Sequence, residues 1–213
     1  MARNKYPEKT VEKILMVSQK LFFTKGYDET SIQDIINELD GLTKGAIYHH
    51  FKSKEEILEA LNEKMFFDNN PFAAVKNRDD LNGLEKMRES IKISTSNIAP
   101  ESLVKESIAL LKNPRILVSS IESSRKWIVP LLQELIEEGN KDGSINTPYS
   151  KEIAEVIQLL TNVWMSPSVF PATGKEIFMK FLFLKEMLDN MGLPLIDNEI
   201  LAMTKKKIGN TIK

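Results

Sequence analysis

Between Thr30 and Glu56 the chain reads TSIQDIINELDGLTKGAIYHHFKSKEE, a run compatible with very few folds. Ser31, Thr43 and Ser53 each stand where a helix N-cap is wanted, with Asp34 and Glu56 three residues after the first and the last. The spacing predicts a helix over 32–39, a turn at Gly41, a second helix over 44–50 and a third opened by the Ser53–Glu56 capping box. The middle helix carries small, basic and aromatic residues where an ordinary core helix carries leucines. From Gly41 to Lys54 there is no acid, yet Lys44, Lys52, Lys54, His49 and His50 all fall there. A short, lightly built, cationic helix of this kind suits the floor of a DNA groove.

Composition narrows the setting. Hydrophobic residues make up 42% of the 213 and charged residues 28%, the proportions of an ordinary globular protein. Nine glycines and nine prolines are few, and the long amphipathic runs between them predict an all-α fold. The absence of cysteine excludes disulfides, thiol catalysis and thiolate-bound metal. MARNKYPEKT is polar and basic with no apolar segment behind it, and no run approaches the roughly 18–20 apolar residues that cross a bilayer. A cytoplasmic protein with no membrane partner is the expectation. With a net charge of -1, affinity for nucleic acid has to come from a local patch.

Periodicity divides the chain at a polar stretch over 68–82, giving an N-terminal unit 1–67 and a larger unit 68–213. The first helix is expected over 8–25, with Val11, Ile14, Leu15, Ser18, Leu21 and Phe22 on one face and Gly26 as its stop. The helix opened by Ser53 buries Ile57, Leu58, Leu61, Met65 and Phe66. Further helices are expected over 80–98, stopping before Pro100, then over 101–112. Another starts at Pro114 and runs through Trp127 to a stop near Gly139, kinked or divided at Pro130. Helices over 150–165, 175–191 and 198–208 complete the chain. Phe181, Leu182, Phe183 and Leu184 face nearly every direction, so that helix has to be buried on more than one side.

The Gly41 turn and the helix after it form a helix-turn-helix signature. Gly45 and Ala46 let the backbone approach a groove floor, while Thr43 and Lys44 reach bases or phosphates. Tyr48 and His49 point toward flanking phosphates, and Lys54 sits at a helix start whose amides favour a phosphate. Leu42, Ile47 and Phe51 hold the reading helix from inside. Adjacent histidines project about 100° apart on a helix and share no carboxylate with it, so no metal site is expected. Nothing in the chain supplies a phosphate loop or a nucleophile-base pair, which argues against an enzyme.

LTKGAIYHHFKSKEEIL resembles the recognition segment of the tetracycline-repressor (TetR) family, which shows a V-S-K-G-x-L-Y-x-H/Y-F-x-S-K-E-x-L pattern there. Lys44, Gly45, Tyr48, Phe51, Ser53, Lys54 and Glu55 match it directly, while Leu42 and Thr43 replace valine and serine. The resemblance extends upstream through Phe22, Gly26, Tyr27, Thr30, Ser31 and Ile35, about the first 65 residues in all. FPATGKEIFMKFLFLKEMLDNMGLPL is also similar to the closing helices of some members. Leu39-Asp40-Gly41 contains one residue more than the family usually has, which predicts a bulged turn.

The resemblance implies a three-helix helix-turn-helix domain joined by a fourth helix to a larger helical domain for effector binding and dimerisation. It implies a homodimer, paired through the helices near 150–166 and 174–191, on a palindromic operator in double-stranded DNA. Ser31, Gln33, Thr43, Lys44, Gly45, Ala46, Tyr48, His49, His50 and Lys54 would then contact the DNA. The function expected is that of a repressor released by an unknown small-molecule effector, with no cofactor. A regulator without such an effector, controlled by a protein partner, is the alternative. Phe67, Trp127 and Trp164 are the candidate pocket aromatics, and the fourth helix is the natural lever between pocket and DNA.

Overall fold

The computed structural model describes residues 7–39, 41, 43–96 and 109–211, with side chains from 8 to 208. Leu42, Asp40 with its bulged turn, and most of the helix expected over 101–112 lie outside the described residues. What is described is helix and loop, with no strand among those residues.

Four helices open the chain: α1 (Pro7–Thr24), α2 (Ile32–Glu38), α3 (Lys44–His50) and α4 (Lys54–Asp68). Their apolar residues converge on one core, in which Ile14, Ile35, Ile47 and Ile57 are all fully buried. A seven-residue helix such as α3 is marginal alone, so its position is set by Ile47 and by Phe51 at its C-terminal end. The N-caps stand as the spacing predicts. Ser31 and Asp34 form a complete capping box, and Thr43 and Ser53 accept from the amides of Ala46 and Glu56. One detail differs: the Glu56 carboxylate reaches the Lys52 amide at 2.6 Å, one residue before the cap.

The rest of the chain comprises α5 (Gly83–Ser96), α6 (Pro114–Ser123), α7 (Val129–Asp142), α8 (Ser150–Leu159), α9 (Gly174–Asn190) and α10 (Asn198–Thr211). A five-residue π turn, Ser124–Ile128, joins α6 to α7, and a second, Leu160–Trp164, extends α8. Pro130 accounts for the first, since it has no N–H to give the Lys126 carbonyl and the helix widens just before it. α7 continues past Gly139 to Gly143, whose φ of +82° makes it the helix stop. Gly139 is instead a packing glycine. A Cβ at Gly83 would lie 2.3 Å from the Gly139 amide nitrogen, and one at Gly139 would lie 2.4 Å from Ile145, so α5 and α7 cross backbone to backbone.

The crossing is tied at its end by Asp142, which accepts from the Gly83 amide at 2.7 Å. Beside it the nearly buried Lys86 ammonium pairs with Glu138 at 2.6 Å. A second core gathers Met87, Ile136, Ile153, Leu188 and Ile200 from α5 and α7 to α10, with Leu193 from the loop between α9 and α10. The cores do not divide cleanly by sequence, because Ile116, at the start of α6, is buried in the N-terminal one.

Candidate nucleic-acid interface and ligand cavity

The face of α3 away from Ile47 is exposed and cationic. Thr43, Lys44, Gly45, Tyr48 and His49 are exposed there, and the Lys44 ammonium lies 5.8 Å from the Tyr48 ring centre. A Cβ at Gly45 would meet only the Thr43 hydroxyl, at 3.9 Å. Nothing inside the protein therefore requires a glycine there. Ser31 spends its hydroxyl on the α2 cap, donating to Asp34 at 2.6 Å, and Gln33 is exposed with its amide on Asn37. Lys25 and the capping amide and hydroxyl of Ser31 hold the Asp34 carboxyl far below the ordinary carboxylate range.

Two expected contact residues are placed otherwise. His50 is half-buried and lines a shallow depression with Val11 and Leu15 of α1 and Lys64 of α4, off the outer face of α3. Lys54 turns inward. Its ammonium donates to the carbonyls of Tyr27 at 2.6 Å and Thr30 at 2.9 Å, and sits 4.2 Å from the Tyr27 ring centre. The loop between α1 and α2 thus supplies partners for it within the protein. Beneath it the buried Tyr27 phenol donates to Glu55 at 3.2 Å; burial, then the Glu55 charge, pushes its pKa up to about 12.

Lys54→Met, which keeps the aliphatic stem, is therefore expected to destabilise the free protein by about 1–2 kcal/mol. The dependence of operator affinity on salt should keep its slope. Urea denaturation and a salt titration check this together; unchanged stability with a slope smaller by about one would return Lys54 to the DNA backbone.

Between the end of α4 and the second core lies a cavity of about 490 Å³. Its wall takes Met65 and Phe66 from the end of α4, Met87 and Ile91 from α5, Ile128 and Leu132 from the first π turn and α7, and Phe181 from α9. Neutral polar residues, Gln158 and Asn162 among them, complete it. Phe67, Trp127 and Trp164 do not line this cavity. Phe67 is one residue past Phe66, about 100° further round α4, and packs edge-on against Trp127 with centroids 5.2 Å apart. Trp164 packs against Phe183 on the far side, at 5.7 Å. Phe66 and Phe181 line the cavity instead; periodicity does not separate them from their aromatic neighbours Phe67 and Phe183, which stand one and two residues away.

Contacts between the first four helices and the rest of the chain concentrate on α6 and the residues flanking it. Asp28 receives Asn113 at 2.6 Å and Arg115 at 3.2 Å, Asn62 of α4 donates to Ser119 at 2.9 Å, and Lys126 reaches Glu59 at 3.0 Å. One continuous run, 114–142, therefore has Ile116 in the N-terminal core and Ile128 and Leu132 in the cavity wall. No helix among the described residues is long and apolar enough to cross a membrane. None of their His, Asp and Glu side chains gather into a group that could hold a metal ion.

A family model described as "Bacterial regulatory proteins, tetR family" matches residues 14–61, the segment that builds this first core. Among curated proteins, the chain is 34% identical over 83 residues to the probable HTH-type transcriptional regulator ArpR of Pseudomonas putida. That alignment covers 38% of this chain and 39% of the relative. It is 51% identical over 47 residues to an uncharacterized HTH-type transcriptional regulator, YerO, of Bacillus subtilis, covering 22% and 16%. The chain thus spans less than two-fifths of the length of these relatives. In overall fold it is similar to a tetR-family transcriptional regulator from Pectobacterium atrosepticum, with a TM-score of 0.63 and 21% identity over 90% of this chain and 98% of that one.

Proposed function

The chain belongs to the tetR family of bacterial regulatory proteins through its N-terminal domain, and from that premise we propose that it is a ligand-responsive repressor of transcription. It binds a palindromic operator as a homodimer. Thr43, Lys44, Gly45, Ala46, Tyr48 and His49 face the DNA, flanked by Ser31 and Gln33. His50 and Lys54 serve from behind, supporting α3 and the loop between α1 and α2. The dimer forms through α8 and α9, where Leu159, Met179 and Phe183 are each about half exposed in the single chain. Pairing there sets the two α3 helices roughly 34–36 Å apart, one turn of the duplex.

The observation that carries the effector reading is the run 114–142, rooted in the N-terminal core at one end and forming cavity wall at the other. α4 makes a second connection, since Met65 and Phe66 at its end also face the cavity. A molecule that fits one arrangement of these helices better than another shifts the population between them. A coupling of about 1–3 kcal/mol changes operator affinity roughly 5- to 150-fold.

The test measures fluorescence anisotropy on duplexes carrying palindromes from the DNA upstream of the gene, with sedimentation of the free protein. The expected result is a dimer at micromolar concentration, one dimer per palindrome, and loss of binding when either half-site is scrambled. A monomer that binds single half-sites equally well would overturn the proposal.

A further inference from the structure

The cavity wall also carries the chemistry of its occupant. Its described residues are aliphatic, aromatic, hydroxyl or carboxamide, and none of them is charged. An ion entering such a site would give up its hydration with no opposite charge to replace it. Among the polar groups, two form a connected pair. The Asn162 amide donates both of its hydrogens, to Ser124 Oγ at 2.9 Å and to Gln158 Oε1 at 3.0 Å. The Asn162 carbonyl oxygen and the Gln158 amide nitrogen take no partner among the described residues. Together they place an acceptor and a donor on one helical turn, on residues that line this cavity and also a smaller one beside Ser124, Arg125 and Glu155.

We propose that the cavity binds an uncharged, largely apolar molecule bearing one hydrogen-bonding group, and that the Gln158 and Asn162 carboxamides receive that group. The inference rests on the reading of this cavity as the effector site. It also shows how the site meets α6. Asn162 belongs to the second π turn and Ser124 opens the first, so one hydrogen bond joins the two turns at the point where α6 gives way to the cavity wall. Ser124 is nearly buried, and its carbonyl accepts the Val129 amide in the wide π pattern. A ligand group placed on Asn162 is therefore two hydrogen bonds from the junction with α6.

Four probes that share one skeleton test the proposal on the full chain: 1-naphthalenemethanol, 1-methylnaphthalene, 1-naphthoate and 1-naphthylmethylammonium, titrated by calorimetry at neutral pH. The alcohol is expected to bind at least about 100-fold more tightly than either ion and about tenfold more tightly than the hydrocarbon. Gln158→Leu and Asn162→Leu should remove the preference for the alcohol over the hydrocarbon while leaving the hydrocarbon's own affinity in place. Asn162→Asp, which preserves shape if leucine disturbs the fold, should turn the preference toward the ammonium probe. Equal binding of alcohol and ions, no binding of the alcohol at its solubility limit, or an alcohol preference that survives all three substitutions would each overturn it. Operator binding in the absence of probe is measured separately, and its failure would strike the regulatory reading while leaving the ligand class standing.

Discussion

Gly192→Ala is expected to destabilise the protein by at least about 3 kcal/mol. Gly192 follows α9 with a φ of +81°, a conformation that costs an L-residue roughly 1–2 kcal/mol. The added Cβ would also fall 1.8 Å from the Asn146 carbonyl oxygen and 2.7 Å from its carbon. Both are backbone atoms, and Asn146 is held by its amide hydrogen bond to the Gly192 carbonyl at 2.9 Å, so neither segment of this contact can step aside. Leu193, Leu195 and Ile196 enter the second core immediately afterwards, and any displacement reaches them. For a chain of this size the thermal midpoint should fall by roughly 6–12 °C. Gly143→Ala is the control: its φ is +82° but a Cβ there meets nothing within 4 Å, so only the backbone cost applies. Thermal melts of the two variants that coincide would show that the collision at Asn146 is relieved.

That contrast marks the limit of what the chain discloses as a sequence. Capping is local chemistry, so Ser31, Thr43 and Ser53 were legible, as was the start at Pro114. The exposed, cationic face of α3 was legible for the same reason, because its caps and its glycine lie within a few residues of one another. Gly139 and Gly143 were not distinguishable: either can end a helix, and only the approach of Gly83 and Ile145 shows that the first is needed for packing. Lys54 looked like a free cation because the carbonyls it meets lie 24 and 27 residues upstream. The cavity failed for a different reason. Phe66 and Phe67 are adjacent and both apolar, so an error of one residue exchanges them, and around Phe181 apolar residues cover nearly every direction, so periodicity carries no phase. Asn162 and Gln158 gave no signal, since a carboxamide on a helix is ordinary until a hydrogen bond to another π turn gives it a place.

Gly45→Ala should move stability and operator affinity in opposite directions. A glycine within a helix is less favourable than alanine by up to about 1 kcal/mol, and at Gly45 the new methyl meets only the Thr43 hydroxyl, at 3.9 Å. The free protein is therefore expected to gain up to that amount, read as a higher denaturant midpoint with an unchanged slope. A gain from so simple a change implies that the glycine serves something outside the molecule. If α3 lies in the major groove with Gly45 toward its floor, the methyl holds the helix away from the bases and disturbs the contacts of Thr43 and Lys44 beside it. Losing the equivalent of one base-pair contact, about 1–3 kcal/mol, lowers affinity roughly 5- to 150-fold. Because no phosphate contact is removed, the salt slope should stay as it was, which separates a lost fit from a lost charge. Affinity that held steady while stability rose would remove Gly45 from the interface, and with it the orientation of α3 on which the other base contacts depend.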